Sequence, residues 1–150
     1  MEIDPADLHT MAAAVAVLLG VAGPVVALLY AIRVERRDHW RKPMLVTGSL
    51  TFVGILAAYF SGRWLVDQQP GLRNDVTVAP HLEYADRLLL PGAGFFVLVL
   101  LCGMIHPRTG MLRIVLPLLL TGFALVVFAL VVLSSDSGAR LLLEKLRDAV

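Results

Sequence analysis

Cysteine is almost absent from this chain: Cys102 is the one among 150 residues. A single thiol excludes an intrachain disulfide and any metal or iron–sulfur centre built on several cysteines. Within an apolar run it reads as a small buried hydrophobe. Charge is scarce as well, 17% of residues against 58% hydrophobic. A soluble domain of this length needs more charge to cover its surface, so the composition, with a mean hydropathy of +0.79, points to a bilayer. A net charge of +1 leaves no basic field for nucleic acid. A basic start is missing too. The opening Met-Glu-Ile-Asp-Pro-Ala-Asp is acidic, whereas a cleaved leader opens on positive charge, so the first apolar run is expected to stay in the mature protein.

What is present is four long apolar runs, at about 11–32, 44–65, 88–105 and 114–133. Each is long enough to cross roughly 30 Å of hydrocarbon as a helix, which takes about 20 residues. Helices are expected because hydrocarbon offers backbone amides no partner, and a helix satisfies its own. The runs do not alternate, which argues against a β-barrel. The sequence therefore predicts an all-α membrane protein, a single domain built as a four-transmembrane-helix bundle. Asp4-Pro5 reads as an N-cap followed by proline in the first turn, and Pro80 is expected to open the third helix with His81 in its first turn. Trp40 and Trp64 bracket the second run as interfacial rings do. Pro24, Pro91 and Pro117 predict kinks. The tail from Ala139 to Val150 places Leu142, Leu146 and Ala149 on one face, with Arg140, Glu144 and Asp148 on another. It reads as a short C-terminal amphipathic helix on the membrane surface.

Loop charge sets the orientation. Arg33, Arg36, Arg37, Arg41 and Lys42 crowd the first connection, and Arg108 and Arg113 flank the third without an acid. Lys and Arg concentrate on the cytoplasmic side, so both connections are expected inside. The long second connection and both termini are then expected on the non-cytoplasmic side of the cell membrane.

Small residues mark packed faces between membrane helices. Ala13, Ala16, Gly20, Gly23, Ala27 and Ala31 form such a stripe in helix one, and Thr47, Thr51, Gly54, Ala58 and Gly62 in helix two. Helix three offers Ala85, Leu88, Gly92, Phe95, Val99 and Cys102. Helix four offers Gly122, Leu125, Ala129 and Val132, in phase with Asp136. His9 opens helix one, His81 opens helix three and Asp136 closes helix four, so the three are expected to converge at the outer end. Two imidazoles and a carboxylate suit a transition metal or, since histidine titrates near neutral pH, proton handling. The plainer alternative makes both histidines interfacial residues bonded to loops or headgroups. No His-Glu-x-x-His spacing supports a metal site. His39 and His106 fall at the inner end, giving each face two histidines, a pattern with some likeness to two-haem transmembrane cytochromes. Glu83 and Arg87 are spaced for a helix-surface ion pair.

Leu8-His9, Ser61-Gly62, His81-Leu-Glu-Tyr-Ala85 and Ser135-Asp136-Ser137-Gly138-Ala139-Arg140 together resemble a bacterial membrane family called domain of unknown function 2231. That family has a Leu/Val-His opening helix one, a glycine at the outer end of helix two, a His-x-x-x-Ala element opening helix three and a Gly-His-x-Gly-like element ending helix four. The prolines usual around its first histidine are missing here, and Asp136 stands where it has a histidine, which suits a metal better than haem. Some relatives are fused to Rieske-type iron–sulfur domains, so the resemblance implies an association with membrane electron transfer.

No ionisable residue lies in mid-membrane, where pumps and ion-coupled transporters keep theirs, and no catalytic set emerges. Three function classes follow: a non-enzymatic accessory subunit of a bacterial membrane complex linked to respiratory electron transfer, partnered by lipid and other membrane subunits; a metal- or haem-binding redox protein using His9, His81 and Asp136; and a small-solute transporter.

Overall fold

The computed structural model describes residues 4–106 and 109–148. Four helices carry nearly all of it: α1 (Pro5–Ile32), α2 (Arg37–Gln68), α3 (Ala79–Ile105) and α4 (Leu112–Asp148). All four contain windows long and apolar enough to cross a membrane, with mean hydropathies of 2.5, 1.7, 2.5 and 2.8. The protein is thus an all-α, multi-pass membrane bundle. α1 packs on α2 and α4, and α3 packs on the same two, so the helices stand in an up-down square with α1 and α3 on one diagonal.

Local sequence explains the ends. The Asp4 carboxylate accepts the Ala6 amide at 2.9 Å, with Pro5 following in the first turn, so one of the donors that every helix N-terminus leaves over is satisfied. Asp75 holds the turn before α3 by accepting the Thr77 amide and hydroxyl at 2.9 and 2.7 Å. α2 begins well before its apolar run and includes both Trp40 and Trp64. At 1.5 Å per residue the two indoles lie about 36 Å apart along the helix, near the separation of the two interfaces. α1, α3 and α4 run through Pro24, Pro91 and Pro117 without interruption. The amphipathic C-terminal segment is the final part of α4 and not a separate element; Leu142, Leu146 and Ala149 lie outside the described side chains.

Close backbone approach holds the bundle. A Cβ on Gly20 would lie 2.7 Å from a Val131 methyl, one on Gly48 2.7 Å from a Val99 methyl, and one on Gly23 would run into the Thr51 hydroxyl. The Thr51 hydroxyl itself reaches the Leu19 carbonyl at 2.7 Å, tying α2 to α1. The stripes expected on α1, α2 and α3 are the packed ones, with Ala16, Gly20, Gly23, Ala27, Thr51, Gly54, Leu88, Gly92, Phe95, Val99 and Cys102 all buried. The stripe expected on α4 is not. Leu125 and Val132 are 56% and 46% exposed, and a Cβ on Gly122 would meet nothing. The buried face is Leu116, Leu120, Ala124, Val127 and Val131. The small residues that Val131 needs opposite it stand on α1, so α4 supplies the bulk.

The two hairpins, α1–α2 and α3–α4, repeat one pattern. Buried Ala16, Gly20, Gly23, Ala27 and Tyr30 recur 72 positions later as buried Leu88, Gly92, Phe95, Val99 and Cys102. Buried Met44, Gly48, Thr51 and Ile55 recur 76 positions later as buried Leu120, Ala124, Val127 and Val131. The contacts repeat as well. Gly20 faces Val131, and their counterparts Gly92 and Ile55 face each other across the other seam. An approximate twofold axis therefore runs along the bundle, passing between α1 and α3.

Candidate functional site

At the end of the bundle where α1 and α3 begin, His9 and His81 meet near that axis. They are 72 positions apart, their ring centroids lie 6.2 Å apart, and their planes cross at 73°. Each is seated by its own hairpin in the same way. His9 Nδ1 lies 3.1 Å from the Ser61 hydroxyl. His81 Nδ1 lies 3.2 Å from the Ser137 hydroxyl and 3.1 Å from the Ser134 carbonyl. Ser61 and Ser137 are 76 positions apart, as are Ala58 and Ser134. Each serine donates its one proton to the carbonyl three residues back, at 3.0 and 2.8 Å. The next residue is glycine in both hairpins. A Cβ on Gly62 would come within 3.0 Å of His9 Cε1, and one on Gly138 within 3.3 Å of His81 Cε1. Glycine is what lets the rings lie against the helices.

Proton counting bears on the tautomers. A carbonyl oxygen only accepts, so the nitrogen 3.1 Å from Ser134 O carries hydrogen. Serine protons already donated to carbonyls leave the hydroxyl oxygens as acceptors for Nδ1–H. His81 is thus an Nδ1–H donor, and His9 takes the same form when the Ser61 proton goes to the Ala58 carbonyl. No family model, curated protein or solved structure matches this chain. What the site does must be argued from this geometry.

Asp136 does not join the pair. Its side chain is 57% exposed and bonds Arg140 at 2.9 Å, one turn on. The cause is the face of α4 just described: counting from Val131 along the buried side leads to Ser134 and Ser137, while Asp136 continues the exposed stripe of Leu125 and Val132. Among the described residues no three of His, Cys, Asp and Glu are placed to share one metal ion. Neighbouring carboxylates are engaged elsewhere, Glu83 with Arg87 and Asp86 with Arg63. The reading from sequence missed Ser61 and Ser137 as partners of the histidines. The signal was available as a Ser-Gly pair in the last third of α2 and again near the end of the fourth span, matched to His-x-x-x-Ala at 9–13 and 81–85.

The opposite end is built differently. Buried Tyr30 reaches the Cys102 carbonyl at 3.1 Å and His106 Nδ1 at 3.3 Å. His106 is 9% exposed, and its Nε2 lies 2.8 Å from Asp38. Arg37, also buried, donates to the Ala31 and Arg113 carbonyls at 3.2 and 3.1 Å, and Arg41 donates to Gly103 O at 2.7 Å. The Ala31 and Gly103 carbonyls lie at the C-terminal ends of α1 and α3, where positive charge is favoured, and the Arg113 carbonyl lies in the first turn of α4. His39 stays exposed, its ring on Trp40. His39 and His106 therefore occupy unlike settings.

Proposed function

We propose that this is a bacterial cytoplasmic-membrane protein that holds a transition metal or redox group between His9 and His81, at the non-cytoplasmic rim. One observation carries the reading: Nδ1 of each ring is engaged by its own hairpin, at Ser61 for His9 and at Ser134 and Ser137 for His81, which makes Nε2 of each the nitrogen for a ligand. Metal-binding histidines are held in this way, the second nitrogen tied to a carbonyl or hydroxyl that fixes tautomer and ring plane. Two interfacial histidines bonding to headgroups would not need matched serine–carbonyl seats and matched glycines. The rim is assigned outside because the connections rich in Arg and Lys lie at the other end. Protein purified from its native membrane tests the proposal by elemental analysis and a visible spectrum. Stoichiometric metal or a Soret band, lost in His9→Ala and His81→Ala but kept in His39→Ala, is the expected result. Protein with neither signal ends the proposal.

A second reading, an accessory subunit of a membrane complex linked to electron transfer, is favoured by α4. Its stripe of Gly122, Leu125, Ala129 and Val132 is exposed within this chain, and small residues at that spacing suit a partner helix. Blue-native electrophoresis of gently solubilised membranes tests it, and migration as a free monomer counts against it.

A further inference from the structure

We infer that the exposed stripe of α4 is the contact face of a homodimer, in which α4 of one chain lies parallel to α4 of a second copy. The inference is independent of the metal role. It takes the stripe offered above to a partner helix and names this chain itself as that partner. Three observations lead to it.

The first is a glycine. Among the described residues, every other glycine within the four helices lies where a Cβ would come within 3.3 Å of a neighbouring helix. Gly122 would meet nothing, although a glycine in mid-helix costs conformational entropy. Lipid gains little from a missing side chain. A second helix gains much, because its backbone can come close.

The second is spacing. From Leu118 to Leu143 the stripe keeps alternating steps of four and three, and every position on it is exposed. A seven-residue repeat held over about seven turns drifts off one side of a lone straight helix. It stays on a seam when two helices wind round each other. Bulk alternates along the seam: Leu118, Leu125 and Val132 stand between the short Gly122 and Ala129, as knobs beside holes.

The third is what happens at the outer end. Asp136 falls on the stripe and bonds Arg140 at 2.9 Å. Two copies meeting there on a twofold axis bring no net charge together, and each arginine can reach the other chain's carboxylate. Gly138 lies against His81 in the first turn of α3, yet α4 continues to Asp148, about 15 Å farther. Most of that stretch lies past the apolar window, which ends at Arg140, and its Leu143 is 66% exposed. Beyond hydrocarbon an exposed leucine is unfavourable, and a matching leucine opposite removes it from water.

A second copy suits this face for a geometric reason. Chains inserted in one membrane share orientation and depth. Each position then meets its own counterpart without a shift in register, Gly122 on Gly122 and Leu143 on Leu143. Such a twofold contact is self-complementary.

The test is cysteine cross-linking of the full-length protein in its native membrane, in a Cys102→Ala background. Leu118→Cys, Leu125→Cys and Val132→Cys should each give a disulfide-linked dimer under mild oxidation. Leu119→Cys and Val126→Cys, exposed on α4 but off the stripe, should stay monomeric. Gly122→Leu should lower the dimer fraction about 10-fold and keep the wild-type helical circular dichroism, since no neighbour within the chain is disturbed. Arg140→Asp should also lower it, and the exchange Asp136→Arg with Arg140→Asp should restore it. Equal cross-linking on and off the stripe, or none at any position, overturns the homodimer. Cross-linking of the stripe to a different membrane protein overturns the second copy and leaves the accessory-subunit reading standing. None of these outcomes bears on the metal, which elemental analysis reads separately.

Discussion

Tyr30 donates toward the Cys102 carbonyl at 3.1 Å, and these two residues are separated by the same 72 positions as His9 and His81. One pair closes each end of the bundle, so a single relation between hairpins places both. The ends differ in what surrounds the pair. At one end the matched serines and glycines keep the halves alike, while at the other His106 and Asp38 come from one hairpin each and break the likeness.

The seam contacts give the first prediction. Gly20→Ala would put a methyl into Val131 and is expected to destabilise the protein by about 1–3 kcal/mol. Adding Val131→Ala should recover part of that loss. Thermal unfolding in detergent, followed by helical circular dichroism, measures both, and purely additive losses would remove the contact from the account.

A second prediction concerns the rim. Asp136→Ala removes an exposed carboxylate paired only along its own helix and should change stability by no more than about 0.5 kcal/mol, with metal binding unchanged. Gly62→Ala places a Cβ 3.0 Å from His9 Cε1 and should shift that ring and weaken binding. If Asp136→Ala proves the more harmful of the two, Asp136 is a ligand after all.

The tautomer assignment is directly readable. Nitrogen-15 spectra of imidazole-labelled protein above neutral pH should show His9 and His81 protonated on Nδ1 and bare on Nε2. The reverse pattern for either ring would withdraw the lone pair that the metal proposal needs.

At the Tyr30 end, Tyr30→Phe deletes one hydroxyl and should cost about 0.5–1.5 kcal/mol. His106→Ala should cost more, because a buried ring is lost together with its bonds to Tyr30 and Asp38. Denaturation of the two variants side by side gives the order.

Membrane orientation is tested by labelling. Cys102 is fully buried, so the native protein should resist an impermeant maleimide. Gly71→Cys should react from outside intact cells, and Thr109→Cys only after permeabilisation. The opposite outcome would put the histidine pair on the cytoplasmic face.

Much of the fold was legible because hydrocarbon imposes length and apolarity on every span, and because the N-cap at Asp4 and the small residues of α1 act locally. The meeting of His9 and His81 was legible for the same reason: both open helices that start at one end. The face of α4 was not. The small-residue rule pointed to Gly122 and Ala129, but the neighbours of α4 already carry the glycines, so its large residues turn inward. That rotation carried Asp136 outward and brought Ser137 under His81. Only the match between hairpins would have revealed it, since Ser61-Gly62 and Ser137-Gly138 hold the same station in each.

Because the two halves share one buried register, a peptide ending after Gln68 contains a full set of the features that seat one imidazole. Two such peptides associating face to face would rebuild the rim with a pair of identical residues. Joining the halves in one chain frees each to change alone. The first has Gly23 and Ala27 where the second has Phe95 and Val99, and Tyr30 bonds through its hydroxyl where Cys102 takes part only through its backbone.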